Sequence, residues 1–202
     1  MNQRIAFFDF DGTITTKDTL LEFIRFSRGD FRLRWGFLVN SPWLIAMKLK
    51  IISNQAAKER ILTYFFAQRS LSAFDRQCDA FSRDVLPGLI RPKALGEINR
   101  LLAADATVVI VSASPENWIH QWAAGIGAGL IATRLAVNTD RKGDIRLTGH
   151  IEGANCHGEE KVNRIRQRFA LPDYLEIFTY GDSTGDKPML RLGTASFYKP
   201  FR

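Results

Sequence analysis

The chain has 202 residues, 46% of them hydrophobic and 24% charged, and a formal net charge of +7. That composition excludes a disordered or fibrous chain, and the length suits one domain, or a core carrying a sizeable insertion, that folds without staples. Two cysteines, Cys78 and Cys156, exclude a disulfide framework.

The start, Met1-Asn2-Gln3-Arg4, runs into an apolar segment at once and leaves no room for a signal peptide, so the expected location is the cytoplasm. Residues 4–9 read as a strand that is apolar on both faces, as a central parallel strand is. It delivers two acids, Asp9 and Asp11, and then a Gly12-Thr13 turn. On an ideal strand the two carboxylates share a face, where like charges resist joint ionisation and a hard divalent cation would relieve them. A strand followed by an ordinary Asp-Gly turn is the plain alternative.

From Asp18 the pattern turns helical. Asp18-Thr19 can cap a helix ending near Gly29. The Trp35–Ile52 stretch follows, rich in bulky apolar residues and flanked by Lys and Arg. Asn40-Ser41-Pro42 is expected to break it, and neither half approaches the roughly 20 residues that span a bilayer. Helices are expected from Ser53 and from about Ser70 to Ser82, so residues 18–86 read as all-helical. After Pro87-Gly88 a helix is expected from Pro92 to Ala103. A buried strand over residues 106–112 comes next, then a helix from Pro115 to about Ala124. A short strand at 130–133, a hairpin over 135–151, a helix from Gly158, a strand at 175–180 and a last strand at 195–199 complete the chain. Strands alternating with helices predict an α/β fold with a parallel sheet, in which ligands sit at the carboxyl ends of strands.

Three strand ends carry polar clusters, Asp9/Asp11, Ser112/Ser114 and Asp182/Asp186, and one helix start carries Lys161. Together they suit phosphoryl chemistry. Asp9 can attack phosphorus and Asp11 can move the proton. Ser112 and nearby backbone N–H groups can hold phosphoryl oxygens, Lys161 can neutralise charge, and Asp182 can complete a Mg²⁺ site.

Asp9-Phe10-Asp11-Gly12-Thr13, Val109-Ile110-Val111-Ser112, Gly158-Glu159-Glu160-Lys161 and Gly181-Asp182-Ser183-Thr184-Gly185-Asp186 resemble, in order, the four motifs of the haloacid dehalogenase superfamily. The helical insertion resembles the C1 cap of its phosphoserine phosphatase-like branch, subfamily IB. The resemblance implies a Rossmann-like parallel core over residues 1–17 and 87–202, with an inserted all-helical C1 cap over 18–86. It implies Asp9 as nucleophile, Asp11 as general acid/base and Lys161 as the charge-neutralising catalytic residue. It also implies phosphate contacts from Gly12, Thr13, Ser112, Ala113 and Lys161. Mg²⁺ would be held by Asp9, Asp182 and the Asp11 carbonyl, with Asp186 and Ser183 in support. The expected substrate is a small, phosphoserine-like phosphate ester.

Asp18 stands where phosphoserine phosphatases place an acid against the substrate's amino group, although a helix cap explains it equally. Arg60 and Lys58 are cap candidates for gripping a substrate anion, with a solvated helix face as the plainer alternative. The Trp35–Ile52 stretch departs from the compact members of the branch. It fits a peripheral membrane contact or lipid-tail contact, or an apolar helix packed within the cap or at a dimer contact, and it resembles the hydrophobic cap segments of the branch's phosphatidylglycerophosphate phosphatases. A non-catalytic phosphate-binding module is a third reading, disfavoured by the intact acid pair. The scattered basic residues form no zinc-finger, RRM or basic-zipper pattern, so nucleic acid is not an expected partner. His157 and Cys156 adjoin the Lys161 motif and are expected to be structural.

Overall fold

A computed structural model describes residues 4–202. The first strand, β1 (Arg4–Phe8), is central in a five-stranded sheet. The strands that follow are β2 (Thr107–Pro115), β3 (Gly129–Thr133), β4 (Leu135–Thr139), β5 (Ile145–Ile151), β6 (Glu176–Gly181) and β7 (Ala195–Tyr198). The main sheet has the order β3-β2-β1-β6-β7 and every pairing is parallel. Alternation along β1 divides the core. Ala6 and Phe8 join one apolar cluster, while Ile5 and Phe7 join the other on the opposite face. Helices α5 (Pro92–Ala103), α6 (His120–Gly125), α7 (Glu159–Arg168) and α8 (Lys187–Leu190) make the crossovers that a parallel sheet requires.

Four helices fill the insertion after β1: α1 (Thr19–Arg28), α2 (Asp30–Lys48), α3 (Asn54–Phe66) and α4 (Leu71–Asp84). Asp18 caps α1 by accepting the Leu21 N–H, and Ser53 caps α3 by accepting that of Ala56. The chain enters and leaves this helical part along adjoining segments. Thr16 N–H donates to Leu89 O at 2.8 Å and Arg91 N–H to Ile14 O at 2.8 Å.

The expected break at Asn40-Ser41-Pro42 does not occur, and α2 runs through it. Pro42 brings no N–H for the Leu38 carbonyl, four residues back. The Ser41 hydroxyl donates to that carbonyl instead, at 2.8 Å, and Asn40 Nδ2 donates to Gly36 O at 2.8 Å. Side chains thus take over hydrogen bonds around the proline. Gly36 lets α2 approach α3, since a Cβ there would lie 2.1 Å from Phe65 Cζ.

Two further differences from the sequence expectation bear on the site. The strand expected to end at Ser112 continues to Pro115. The helix expected from Pro115 is split into a short 3₁₀ turn, Glu116–Trp118, and α6. The hairpin β4–β5 forms its own two-stranded sheet, which packs on the helical insertion. Gln68 N–H donates to Leu147 O, Leu147 N–H to Arg69 O, and Thr63 Oγ1 to Gly149 O. Among the described residues, no helix is long and apolar enough to cross a membrane.

Candidate active site

The carboxyl ends of β1, β2 and β6 and the start of α7 meet beneath α1, α2 and α3, around a cavity of about 420 Å³. Strand β1 ends at Phe8, so the two acids that follow do not continue its alternation, and their carboxylates part company. Asp9 is buried. Its Oδ1 accepts from Lys161 Nζ at 2.6 Å and its Oδ2 from Thr13 Oγ1 at 2.9 Å. Burial pushes this carboxyl up, to about 7, against the pull of Lys161. Asp11 turns the other way. Thr19 donates to its Oδ1 from both N (2.7 Å) and Oγ1 (2.6 Å), and Ser114 Oγ donates to its Oδ2 at 2.7 Å. The Trp118 indole N–H donates to Thr19 Oγ1 at 3.1 Å, which leaves the hydroxyl proton for Asp11.

Gly12 makes the turn between these roles. Its φ is +84°, and a Cβ there would lie 2.6 Å from Asp182 Oδ2. Its N–H is taken by Thr15 Oγ1.

Lys161, only 1% exposed, bridges Asp9 and Asp186, with Asp186 Oδ1 at 2.7 Å. Burial works against its charge, but the two carboxylates outweigh burial and hold the ammonium above its usual range. Asp186 in turn accepts from Ser183 N–H, Ser183 Oγ and Asp182 N–H through Oδ2. Lys161 and these donors outweigh burial and keep it below the usual carboxylate range. Asp186 is thereby fixed as the lysine's anchor.

Carboxylate oxygens of Asp9, Asp182 and Asp186 lie within 4.8 Å of one another. This is a hard, all-oxygen donor set of the kind a divalent cation takes. Asp186 already has four donors. Asp9 and Asp182 are therefore the carboxylates with capacity for an ion, and Asp182 meanwhile pairs with Arg202.

The remaining expected residues divide. Ala113 lines the cavity, and its carbonyl accepts from Lys58 Nζ at 2.7 Å. Ser112 is fully buried and does not line the cavity; its Oγ accepts the Ser114 N–H at 3.0 Å. Thr13 supports Asp9 rather than facing the cavity. Ser183 and Asp18 do line it. Asp18 therefore both caps α1 and faces the chamber while keeping an exposed edge, and its carboxyl is pushed upward by the protein packed around it and by the charge of Asp11. Arg60 is not brought to the cavity. Its guanidinium lies 5.2 Å from the centre of the Trp43 ring. Lys58 occupies the chamber instead, its charge disfavoured by burial and opposed in this by Asp11 and Asp18.

Three groups of the site, two of them lining the cavity, were not singled out by the motifs. Ser114 stands two residues past Ser112, beyond a register shift in β2. Thr19 was legible only as the first residue of a helix. His157 lines the cavity with its ring against Gly185, and burial and the Lys161 charge keep it below its usual value.

Residues 6–191 match the sequence profile of the haloacid dehalogenase-like hydrolases. The chain belongs to this family. It is 35% identical to Protein CicA of Caulobacter vibrioides over 96% of this chain and 85% of that one. It is 31% identical to a protein named a probable phosphatase from Mycobacterium tuberculosis, over 98% of this chain and 69% of the other. A structure of a Bordetella pertussis protein of unknown function superposes with a TM-score of 0.79 at 28% identity, covering 96% of this chain and 88% of that one. A phospho-aspartyl intermediate analogue of phosphoserine phosphatase shares the fold, with a TM-score of 0.62 at 17% identity over 100% and 95% of the two chains.

Proposed function

We propose that this hydrolase is a phosphomonoesterase that works through an aspartyl-phosphate on Asp9. The observation that carries the reading is the division of labour between two neighbouring acids. Asp9 is fixed by Lys161 and Thr13, and Asp11 is held a turn away by Thr19 and Ser114, with both on one chamber. Asp9 Oδ attacks phosphorus while Asp11 gives its proton to the departing alkoxide. Asp11 then takes a proton from the water that hydrolyses the acyl phosphate, and Asp9 is restored. Lys161 keeps the nucleophile oriented and offsets charge on the transferring phosphoryl group. The naming of one relative as a probable phosphatase is in keeping with this chemistry.

Asp9 and Asp182, with the backbone carbonyl of Asp11, would hold Mg²⁺, which shields an anionic nucleophile from an anionic ester. The substrate is a small phosphate ester. Lys58 and Asp18, facing each other's charge across the chamber, suit a leaving group that carries both an anionic and a cationic substituent, as phosphoserine does. A second reading draws on the apolar part of the lining. Leu20, Leu21, Phe37, Leu44, Met47 and Ile61 line it, and they suit an ester with an apolar chain, as in a lipid phosphate.

Phosphate release from an aryl phosphate with added Mg²⁺ tests the chemistry. Asp9→Asn is expected to lower kcat by about a thousandfold or more. Activity retained in that variant would remove the aspartyl-phosphate. A screen of phosphoamino acids against lipid phosphates separates the two substrate readings.

A further inference from the structure

Helix α2 carries apolar residues on both its inner and its outer side, yet only the inner side is covered. Leu33, Gly36 and Asn40 face inward, and Phe37 and Leu44 pack against the core. With about 3.6 residues per turn, six others fall within about 40° of a single line on the opposite side. They are Phe31, Trp35, Leu38, Pro42 and Ile45, with Leu49 just past the last turn. Phe31 is 80% exposed, Trp35 54%, Leu38 63%, Ile45 58% and Leu49 66%. A surface helix of a globular protein ordinarily shows polar residues on that side. A continuous apolar ridge of this kind marks an interaction surface.

The charge around the ridge is one-sided. Between Asp30 and Glu59 the sequence contains no acid, while Arg32, Arg34, Lys48 and Lys50 stand on or just past α2. By helical position Arg34 and Lys48 flank the ridge on one side and Arg32 on the other. At the Phe31 end a groove of about 420 Å³ is lined by Arg28, Arg32, Trp35 and Tyr64. Among the ion pairs of the described residues, Arg28, Arg32 and Arg69 have no acidic partner. Burial, then the charges of Arg69 and Arg32, hold the Arg28 guanidinium below its usual value.

We infer that the outer face of α2 docks on a bilayer containing anionic lipid, with the helix in the membrane plane. The apolar ridge enters the headgroup boundary and the basic flanks meet lipid phosphates. Charge is what selects this occupant over a second copy of the chain. A two-fold pairing through α2 would set the same basic flanks against each other, and the one acid of the helix, Asp30 in its first turn, is already paired with Arg25. The inference is independent of the substrate, but Phe37, Leu44 and Met47 reach the catalytic chamber from the inner side of the same helix.

Co-sedimentation with phosphatidylcholine vesicles, with and without phosphatidylglycerol, tests it. Wild-type protein is expected to bind the phosphatidylglycerol vesicles and to release as salt rises. Leu38→Glu and Ile45→Glu are each expected to weaken partitioning by about tenfold or more. Hydrolysis of a soluble aryl phosphate by either variant stays at the wild-type level, so loss of docking is distinguishable from loss of the enzyme. In the unaltered fold, the fluorescence difference between wild type and Trp35→Phe should shift to the blue on vesicle addition. The inference is overturned by absence of binding to phosphatidylglycerol vesicles, or by binding that both charge variants retain. A concentration-dependent dimer that Leu38→Glu dissociates, without vesicle binding, would assign the face to a second copy instead.

Discussion

At the scale of single residues, the site is a set of side chains whose hydrogen bonds leave little choice of rotamer. Thr19 is the clearest case, because its backbone and hydroxyl both serve Asp11 and Trp118 fixes the hydroxyl's direction. Thr19→Val removes one of the three donors without removing volume. It is expected to lower kcat by about tenfold with little change in KM, and to displace the kcat–pH profile, while Thr19→Ser restores both. Asp9, Asp11, Lys161 and Asp182 were legible in the sequence because strand ends and a helix start carried them at motif spacing. Ser112 and Ser114 were legible as a polar strand end, but not that Ser114 rather than Ser112 bonds Asp11, which goes with the irregularity of β2 between Ser112 and Pro115, a property of the pairing with β3. The choice of Lys58 over Arg60 follows from helix phase. Asn54, Ala57, Lys58 and Ile61 share the chamber side of α3, and a residue two positions on points away.

At the scale of elements, α2 shows how a helix passes a proline. If Ser41 substitutes for the missing donor, Ser41→Ala should cost about 0.5 to 1 kcal/mol in the native chain and almost nothing when Pro42 is Ala. Pro42→Ala alone should stabilise by about 1 to 3 kcal/mol. Chemical denaturation of the four proteins measures both, and additive effects would refute the substitution. The expected break at Asn40-Ser41-Pro42 rested on backbone rules. Those rules do not register that Ser41 and Asn40, the neighbours that made the stretch look like a turn, also carry the donors that keep it helical. The strands were easier to see, since burial on both faces writes continuous apolar runs into residues 5–8 and 108–111.

For the whole molecule, strand–helix alternation was enough to give the parallel sheet and its inserted helices. The docking of β4–β5 on α3 was hidden, because pairing of residues 68–70 with 146–147 is non-local and leaves no periodicity. Glu59 is one of its fastenings, accepting from Ile151 N–H at 3.0 Å and from Gln55, with His150 at 3.4 Å. Burial opposes its charge, but these partners outweigh burial and hold its carboxyl below 4.5. Such a group contributes stability above about pH 4.5 and loses it as pH falls through its folded value. Glu59→Gln should therefore lower stability at neutral pH by no more than about 1 kcal/mol, and the gap should close in acid. Thermal unfolding at pH 7 and pH 3.5 checks the sign.

The adjoining entry and exit of the inserted helices, where Thr16 meets Leu89 and Ile14 meets Arg91, have an evolutionary corollary. From the side of the sheet, everything between those contacts is a closed loop whose length and content leave the register of β1 untouched. Substrate preference can therefore diverge by remodelling that loop while the reacting acids keep their scaffold. The hairpin sets the limit on such exchange. Because Leu147 is bonded to Gln68 and Arg69, a grafted cap must arrive with its own β4–β5, and the two segments should change together in descent.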